Sequence, residues 1–247
     1  MKIGIIGAGN IGARLARKLS ASGHDVKLAN SKGPQTIRDL AGEVGATPVT
    51  KEEAVADAEV IILAIPFASH QGLANLFEHV APEVVVIDTS NYYSFRDGAI
   101  AEVDGGKPES VWSQEQIGRP VVKAWNAVLA ETLEAGGKPK GAPGRLAIPV
   151  AGDDAKATET ARQLVDQTGF DALDTGSLKD SWRQQSGTPA YCTELTIGDL
   201  NVAVEAAKRD RASRNRDALM KEFASAGGAL THAQIVARNR TVTASVL

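Results

Sequence analysis

Three glycines near the start of the chain have the spacing of a phosphate-binding turn. Gly7 allows a tight turn, Gly9 lets a pyrophosphate approach the backbone, and Gly12 lets the following helix pack on the preceding strand. The first N–H groups of that helix, at the positive end of its dipole, would face the phosphates. The turn therefore predicts a dinucleotide site formed by Gly7, Gly9, Asn10, Ile11 and Gly12.

The segments on either side of this turn are those that such a site needs. Residues 2–6 predict a short buried strand, residues 11–22 a helix, and residues 26–29 a second strand. A glycine motif alone is weak evidence of nucleotide binding. The same motif is a specific indication of nucleotide binding when it lies between a strand and a helix that leads to a second strand.

The end of the second predicted strand indicates which cofactor is bound. Proteins that bind NAD usually have an Asp or Glu there, which holds the ribose 2′-hydroxyl. Asn30, Ser31 and Lys32 occupy this place, and the nearest acid, Asp25, lies at the other end of the strand. A hydroxyl and an ammonium group suit a 2′-phosphate. We therefore predict NADP(H) rather than NAD(H), bound through Asn30, Ser31 and Lys32.

The apolar run over residues 59–66 predicts a strand that is buried on both faces in a parallel sheet. Its carboxyl end should lie where the strand order reverses, which is where ligands bind in open α/β sheets. We expect Ile65, Pro66 and Phe67 to flank the nicotinamide half of the cofactor, and we assign Ala64 to the cofactor site as well. His70, in the next helix, either contacts the cofactor or transfers a proton there, or is a surface residue.

Polar residues follow the next two predicted strands as well. Asn91, after strand 84–87, either bonds the cofactor or shapes the turn. We also assign Ala124 and Asn126, at the end of strand 120–124, to the cofactor site. Lys123 within a buried strand needs a carboxylate or a water-filled edge, so it either supports the site or extends to that edge.

Composition limits the classes of partner. The chain has 247 residues, 43% of them hydrophobic but only 4% aromatic, and a net charge of −3. This charge argues against a nucleic acid or a membrane as the main partner. A single cysteine excludes an internal disulfide, and we predict no metal site because no metal-ligand spacing occurs. We expect a cytoplasmic protein, because neither a signal peptide nor an apolar run of ~20 residues is present.

The last quarter of the chain differs from the rest. After the polar segment 178–192, which contains Tyr191, the pattern predicts one long helix over residues 196–223 and a short helix over residues 231–238. The long segment 95–112 predicts mostly loop. We therefore predict an α/β Rossmann domain over residues 1–176, with a doubly wound, mainly parallel sheet of about eight strands. A small helical C-terminal extension over residues 177–247 would complete the site.

Several motifs together resemble the NADP oxidoreductases named for the deazaflavin coenzyme F420. They are the glycine turn, residues 30–34, the strand end at Pro66, and residues 88–91 and 122–126. The resemblance covers roughly residues 1–175, and the same module occurs in the six-transmembrane epithelial antigen metalloreductases. It implies 2′-phosphate contacts at Ser31 and Lys32, nicotinamide near Ile65, Pro66 and His70, and a homodimer formed through the tail.

The chain also departs from the family pattern. Asn91 is followed by Tyr92, where the family often has Asn-Pro, and residues 183–189 look like a bacterial subgroup. The resemblance therefore implies the fold and NADP more firmly than the deazaflavin substrate.

Three functions fit these features. The first is a reductase that passes hydride from NADPH to a flat flavin- or deazaflavin-like acceptor, which requires close stacking of two rings more than an acid or base. The second reduces a small carbonyl or imine, and its proton donor would be His70, Tyr191 or Lys123. The third is an NADP-binding regulatory protein without turnover. We favour the first, an NADP-dependent oxidoreductase with a small-molecule electron acceptor.

Overall fold

The central feature of the fold is a parallel sheet of six strands, in the order β3-β2-β1-β4-β5-β6. A computed structural model describes residues 1–244. The strands are β1 Lys2–Ile6, β2 Asp25–Ala29, β3 Thr47–Pro48, β4 Val60–Leu63, β5 Val85–Asp88 and β6 Val122–Lys123. The order reverses between β1 and β4, which pair from Ile3↔Val60 to Ile6↔Leu63. The carboxyl ends of these two strands therefore border the crevice in which such sheets bind ligands.

Two further strands form a separate parallel sheet. They are β7 Ala147–Val150 and β8 Asp171–Asp174. An antiparallel bridge between Lys123 and Ala151 links this small sheet to the edge of the large one. The predicted α/β class is confirmed. The prediction of one sheet of about eight strands is wrong in one respect, since the strands are divided into six and two.

The central strands are buried on both faces. Ile62 and Ile87 belong to one hydrophobic cluster, whereas Ile61 and Val86, their neighbours in sequence, belong to another. Successive side chains of a strand point to opposite faces, so these two clusters are the cores above and below the sheet. Both consist almost entirely of aliphatic side chains, as the low aromatic content requires.

Twelve α-helices surround the sheets in the described part of the chain. They are α1 Asn10–Ala21, α2 Arg38–Glu43, α3 Lys51–Val55, α4 Ala74–Phe77, α5 Ser94–Asp97, α6 Ala101–Asp104, α7 Glu109–Ile117, α8 Ala130–Ala135, α9 Ala155–Gln167, α10 Ile197–Glu205, α11 Arg209–Ser225 and α12 His232–Thr243. Three 3-10 helices lie at Pro34–Ile37, Phe67–Gly72 and Leu178–Gln184. Among residues 1–244, none of these helices has the length and hydropathy needed to cross a membrane.

Two helical regions differ from the sequence predictions. Residues 95–112 were expected to be mostly loop, but they contain α6 and parts of α5 and α7. Here Trp112 of α7 stacks on Phe67, with ring centroids 4.6 Å apart, and this contact cannot be inferred from local periodicity. The predicted long helix over residues 196–223 is broken after Glu205, so that α10 packs on β7 and β8 while α11 continues separately.

Candidate active site

The glycine turn joins β1 to α1, and two of its positions require glycine, one because of its backbone conformation and the other because of close packing. Gly7 has a φ of +114°, in the region that favours glycine. A Cβ on Gly12 would lie 1.8 Å from the carbonyl oxygen of Gly7, so any side chain there would displace the backbone. These contacts explain why the strand and the helix can approach each other so closely.

Gly9 differs from these two glycines, because its backbone borders open space. No heavy atom of the described chain, apart from its neighbours in sequence, lies within 4 Å of a Cβ built on Gly9. Gly9 also precedes α1, whose first turn has neither a side-chain cap nor an acidic residue within residues 1–244. The first N–H groups of α1 are therefore available to an anion such as a diphosphate.

A cleft of about 680 Å³ opens beside this turn. The predicted residues that line it are Gly7, Gly9, Asn30, Ser31, Ala64, Ile65 and Pro66. Sequence reasoning did not assign eight other lining residues to the site, namely Thr50, Lys51, Glu52, Ser69, Leu73, Ile6, Ala8 and Gly33. The first three directly follow β3, so their position after the carboxyl end of a parallel strand was the signal that could have identified them. The open space at Gly9 and the size of the cleft fit a dinucleotide.

The turn after β2 is shaped by the side chain of Asn30. Its Oδ1 accepts a hydrogen bond of 3.0 Å from the backbone N–H of Lys32, and its Nδ2 donates to Thr36 Oγ1 at 2.8 Å. Ser31 and Lys32 are both exposed; Ser31 lines the cleft, whereas Lys32 is not among its lining residues. Asn30 thus fixes the backbone from which a hydroxyl and an ammonium group project.

Two asparagines meet beyond the ends of β5 and β6. Asn91 Nδ2 donates to the carbonyl oxygen of Asn126 at 2.9 Å, and Asn126 Nδ2 donates to Asn91 Oδ1 at 3.1 Å. Asn126 also bonds Gln184, whose Nε2 donates to Asn126 Oδ1 at 3.1 Å. The structure therefore brings together Asn91 and Asn126, both of which the sequence analysis assigned to the cofactor site, and adds Gln184, which no local pattern indicated. Ala124, the other predicted residue of this segment, is completely buried.

The backbone beside this amide group is unusual. Trp125 has a φ of +56°, which a bulky side chain rarely adopts. Its indole is completely buried and donates to Thr168 Oγ1 at 3.3 Å. Packing therefore holds the chain in a strained conformation directly before Asn126, a feature that is common at functional sites.

His70 lies beneath the crevice rather than on its surface. Its ring is completely buried, so the alternative of a surface histidine is wrong. Nδ1 is 2.7 Å from the carbonyl oxygen of Phe67, and Nε2 is 3.5 Å from a carboxylate oxygen of Asp88. Ser69 and Leu73, on either side in sequence, line the cleft instead. The cofactor contact and proton transfer predicted for His70 stay predictions, and this geometry does not favour either.

Tyr191 is also buried, and its hydroxyl already has a partner. Its oxygen lies 2.7 Å from the hydroxyl oxygen of Tyr93. Burial raises the pKa of Tyr191 well above its usual value, and it raises the pKa of Tyr93 to about 12. Both phenols are therefore neutral at physiological pH and bonded to each other. The catalytic role predicted for Tyr191 stays a prediction.

Lys123 is completely buried. Its ammonium group contacts a carboxylate and does not extend to a water-filled edge. Its Nζ is 3.3 Å from Glu109 Oε2 and 3.0 Å from Ser110 Oγ. Both partners lie at the start of α7, within residues 95–112, which were expected to be mostly loop. The sequence indicated that a partner was needed, but only the structure identifies it.

The parallel sheet, the glycine turn and the adjoining cleft define a dinucleotide-binding protein with a Rossmann fold. The family model described as "NADP oxidoreductase coenzyme F420-dependent" matches residues 2–92. The chain belongs to this family, and it is an NADP-dependent oxidoreductase whose cofactor is NADP(H).

Individual relatives are similar to this chain over different shares of its length. YjhV of Escherichia coli (strain K12) is 38% identical over 104 residues, which are 42% of this chain and 76% of that protein. Metalloreductase STEAP3 of Rattus norvegicus is 29% identical over 177 residues, which are 72% of this chain but 34% of that protein. The crystal structure of hypothetical protein SMa0349 from Sinorhizobium meliloti has a TM-score of 0.65 and 29% identity. It covers 80% of this chain and 93% of that one.

Proposed function

We propose that this NADP-dependent oxidoreductase transfers hydride between NADPH and a flat, flavin- or deazaflavin-like acceptor. The observation that carries the proposal is that the three predicted proton donors, His70, Tyr191 and Lys123, are all buried and close to internal partners. Reduction of a small carbonyl or imine needs an acid that reaches the substrate. Hydride transfer between stacked rings depends mainly on orientation, which this site can supply without such an acid.

The cofactor would lie along the cleft with its halves at opposite ends. The open backbone at Gly9 and the free N–H groups of α1 would hold the diphosphate. Ser31 and Lys32 would face the 2′-phosphate, while Ile65, Pro66 and the amides beyond β5 and β6 would border the nicotinamide. When bound, the nicotinamide ring supplies or accepts the hydride.

An exposed aromatic residue supports the choice of a flat acceptor. Phe95 is 75% exposed, and its ring centroid lies 5.6 Å from that of Tyr93. The short helix α5 that carries Phe95 is firmly held. Asp97 accepts from the backbone N–H groups of Tyr93 at 2.9 Å and Ala68 at 3.4 Å. Because Ala68 follows β4 and Tyr93 follows β5, these bonds anchor the backbone of α5 to the segments that leave the carboxyl edge of the sheet. We propose that a planar acceptor ring stacks on Phe95 there.

A residue of the C-terminal part contacts the amide pair of Asn91 and Asn126. Gln184, which follows the proposed domain boundary at residue 176, is completely buried and bonds the carbonyl oxygen of Pro149 at 3.2 Å as well as Asn126. We therefore propose that residues 177–247 complete the active site of a Rossmann domain formed by residues 1–176. Assembly into a homodimer and a cytoplasmic location stay predictions.

The experiment that tests the proposal is anaerobic oxidation of NADPH, followed by absorbance, against a panel of acceptors. The panel contains coenzyme F420, FMN, FAD, a ferric chelate, and small imines and ketones, with NADH as the control donor. We expect NADPH-selective turnover with one ring acceptor. Phe95→Ala should raise the KM for that acceptor by about 10-fold, which corresponds to the loss of one stacking contact.

The controls separate the proposal from its alternatives. Val202→Ala removes an apolar side chain that is 65% exposed on α10, and it should leave the KM for the acceptor unchanged. Tyr191→Phe should retain most of the turnover. Turnover confined to imines or ketones and abolished by Tyr191→Phe would contradict the proposal and favour the carbonyl or imine reductase.

A further inference from the structure

A cluster of buried ionisable and hydroxyl side chains lies under the carboxyl ends of β5 and β6. Each of its members is at most 5% exposed: His70, Asp88, Ser90, Glu109, Ser110 and Lys123. Removing charged groups from water is costly, and apolar residues of similar volume would usually give a protein that is at least as stable. The cluster therefore needs an explanation other than packing.

Ser110 connects the charged groups of this cluster. Its hydroxyl donates to Asp88 Oδ2 at 2.7 Å and accepts from Lys123 Nζ at 3.0 Å. Lys123 Nζ also donates to Glu109 Oε2 and to the carbonyl oxygen of Ser90, both at 3.3 Å. All three N–H bonds of the ammonium group are thus engaged, which leaves its orientation fixed.

Asp88 binds the backbone N–H and the hydroxyl of Ser90, whereas Lys123 binds its carbonyl oxygen. Its Oδ1 accepts from the backbone N–H of Ser90 at 2.9 Å and from the Ser90 hydroxyl at 2.6 Å. Burial acts to raise the pKa of Asp88, but His70, Lys123 and Ser90 together bring it well below its usual value. The carboxylate is therefore ionised and forms strong hydrogen bonds to Ser90.

The position of Ser90 determines that of the next residue. Its N–H is held by Asp88 and its C=O by Lys123, so both peptide groups around Ser90 are fixed. Asn91 follows directly and pairs with Asn126, three residues after Lys123. One cluster thus fixes both chain segments that carry the amide pair.

We propose that Asp88, Ser110 and Lys123 are positioning residues, which hold the amide pair of Asn91 and Asn126 in place for the nicotinamide carboxamide. Both N–H bonds of Asn126 Nδ2 are engaged, by Asn91 and by the carbonyl oxygen of Gln184, so the half-buried Asn91 is the member of the pair that retains an N–H and an oxygen lone pair for a carboxamide. A side chain that is already held in place loses little conformational entropy on binding. This inference rests on the placement of the nicotinamide half that is part of the proposed function.

The test compares two ligands that share the adenosine half. NADPH contains the nicotinamide ring, whereas adenosine 2′,5′-bisphosphate does not, and calorimetric titration measures the Kd of each. Ser110→Ala removes the link between Asp88 and Lys123. We expect it to weaken NADPH by about 10-fold and to leave adenosine 2′,5′-bisphosphate within about twofold of the unaltered protein.

A matched control lies one turn further along the same helix. Ser113 is also completely buried in α7, but its hydroxyl has no hydrogen-bond partner within residues 1–244. Ser113→Ala should change neither Kd. If Ser110→Ala weakened both ligands equally, or lowered the Tm without changing the ratio of the two Kd values, the role would be structural only and the inference would be wrong.

A double-mutant cycle shows whether Ser110 acts through Asn91. Asn91→Ala alone should weaken NADPH selectively, and adding Ser110→Ala should weaken it no further. If Asn91→Ala left the ratio of the two Kd values unchanged, the proposed placement of the nicotinamide would fail, and the inference with it. If Asn91→Ala changed the ratio and Ser110→Ala did not, the inference alone would fail.

Discussion

Lys32 is the residue on which selection of NADPH over NADH should depend most. Its backbone N–H is held by Asn30 Oδ1, and it is exposed directly after Ser31, which lines the cleft. A fixed backbone lets the flexible ammonium group approach a phosphate without reorganisation of the turn. Its attraction to a doubly charged 2′-phosphate has no counterpart in NADH.

Lys32→Ala should therefore weaken NADPH by about 10-fold and NADH by less than about twofold, since a hydrogen bond to a charged group contributes roughly 1.5–3 kcal/mol. Titration with each nucleotide measures both effects. Lys140→Ala is a suitable control, because Lys140 is exposed in the loop before β7. Equal losses for NADPH and NADH would contradict the assignment of the 2′-phosphate.

Cys192 is the single cysteine of the chain, and its thiol should be unreactive. Burial raises its pKa to about 12. At pH 8 only about one thiol in ten thousand would then be ionised, and the thiolate is the reactive form. We expect negligible modification by an aromatic disulfide reagent in the native protein and complete modification in urea. Rapid modification without denaturant would contradict this.

At the scale of elements, the unit from β1 to β2 combines two kinds of glycine. Gly12 allows the contact between strand and helix, because a Cβ there would lie 1.8 Å from a backbone oxygen. Gly9 has ordinary backbone angles, with φ −83°, and borders open space. We therefore expect the first kind of glycine to matter for folding and the second for binding, although both belong to one motif.

Two alanine substitutions should separate these roles. Gly12→Ala should lower the free energy of unfolding by more than about 2 kcal/mol, since backbone must move to accommodate the methyl group. Gly9→Ala should leave the Tm unchanged but weaken NADPH by at least about 10-fold, because the methyl group enters the space assigned to the diphosphate. Thermal denaturation and nucleotide titration measure the two effects. Unchanged NADPH affinity in Gly9→Ala would contradict the diphosphate placement.

At the scale of the whole molecule, α12 holds a strained loop next to the site. Cys192 and Glu194 have φ values of +54° and +51°. Arg240 of α12 donates to the carbonyl oxygens of Thr193 at 2.7 Å and Glu194 at 2.8 Å. His232, also in α12, lies 2.6 Å from Glu194 Oε1. The C-terminal helix therefore stabilises the backbone that directly follows Tyr191.

This contact predicts a pH dependence of stability. Burial acts to raise the pKa of Glu194, but hydrogen bonds from Thr132 and His232 and the nearby charge of Arg240 lower it overall. A carboxyl group whose pKa is lowered on folding stabilises the fold at pH values above its pKa in the unfolded chain, which is near 4.5. This stabilisation is lost as the pH falls through the pKa that the group has in the folded protein. Glu194→Gln should therefore lower the Tm by about 2–4 °C at pH 7.

The difference in Tm between Glu194→Gln and the unaltered protein should narrow below pH 4.5. Thermal denaturation from pH 3 to pH 7 measures it, and Glu205→Gln, at an exposed position of α10, is the control. A difference that stayed constant down to pH 3 would contradict the assigned role of the Glu194 charge.

The sequence by itself determined the part of the protein whose interactions are local. The glycine turn, α1 and the strands on either side lie within residues 2–29, and the absence of an acid after β2 indicated NADP(H). Backbone preferences of glycine and the periodicity of apolar residues act over a few neighbours in the chain, so they can be read directly from the sequence.

The tertiary structure decided which polar residues are accessible and which are paired. His70 and Tyr191 have the residue types of proton donors, yet their partners Asp88 and Tyr93 lie 18 and 98 positions away in the chain. Gln184 reaches Asn126 across 58 positions. Burial and the ionisation state depend on such distant contacts, which no local pattern encodes. The chemistry of this site therefore depends on the packing of α7 and the C-terminal segment against the ends of β5 and β6.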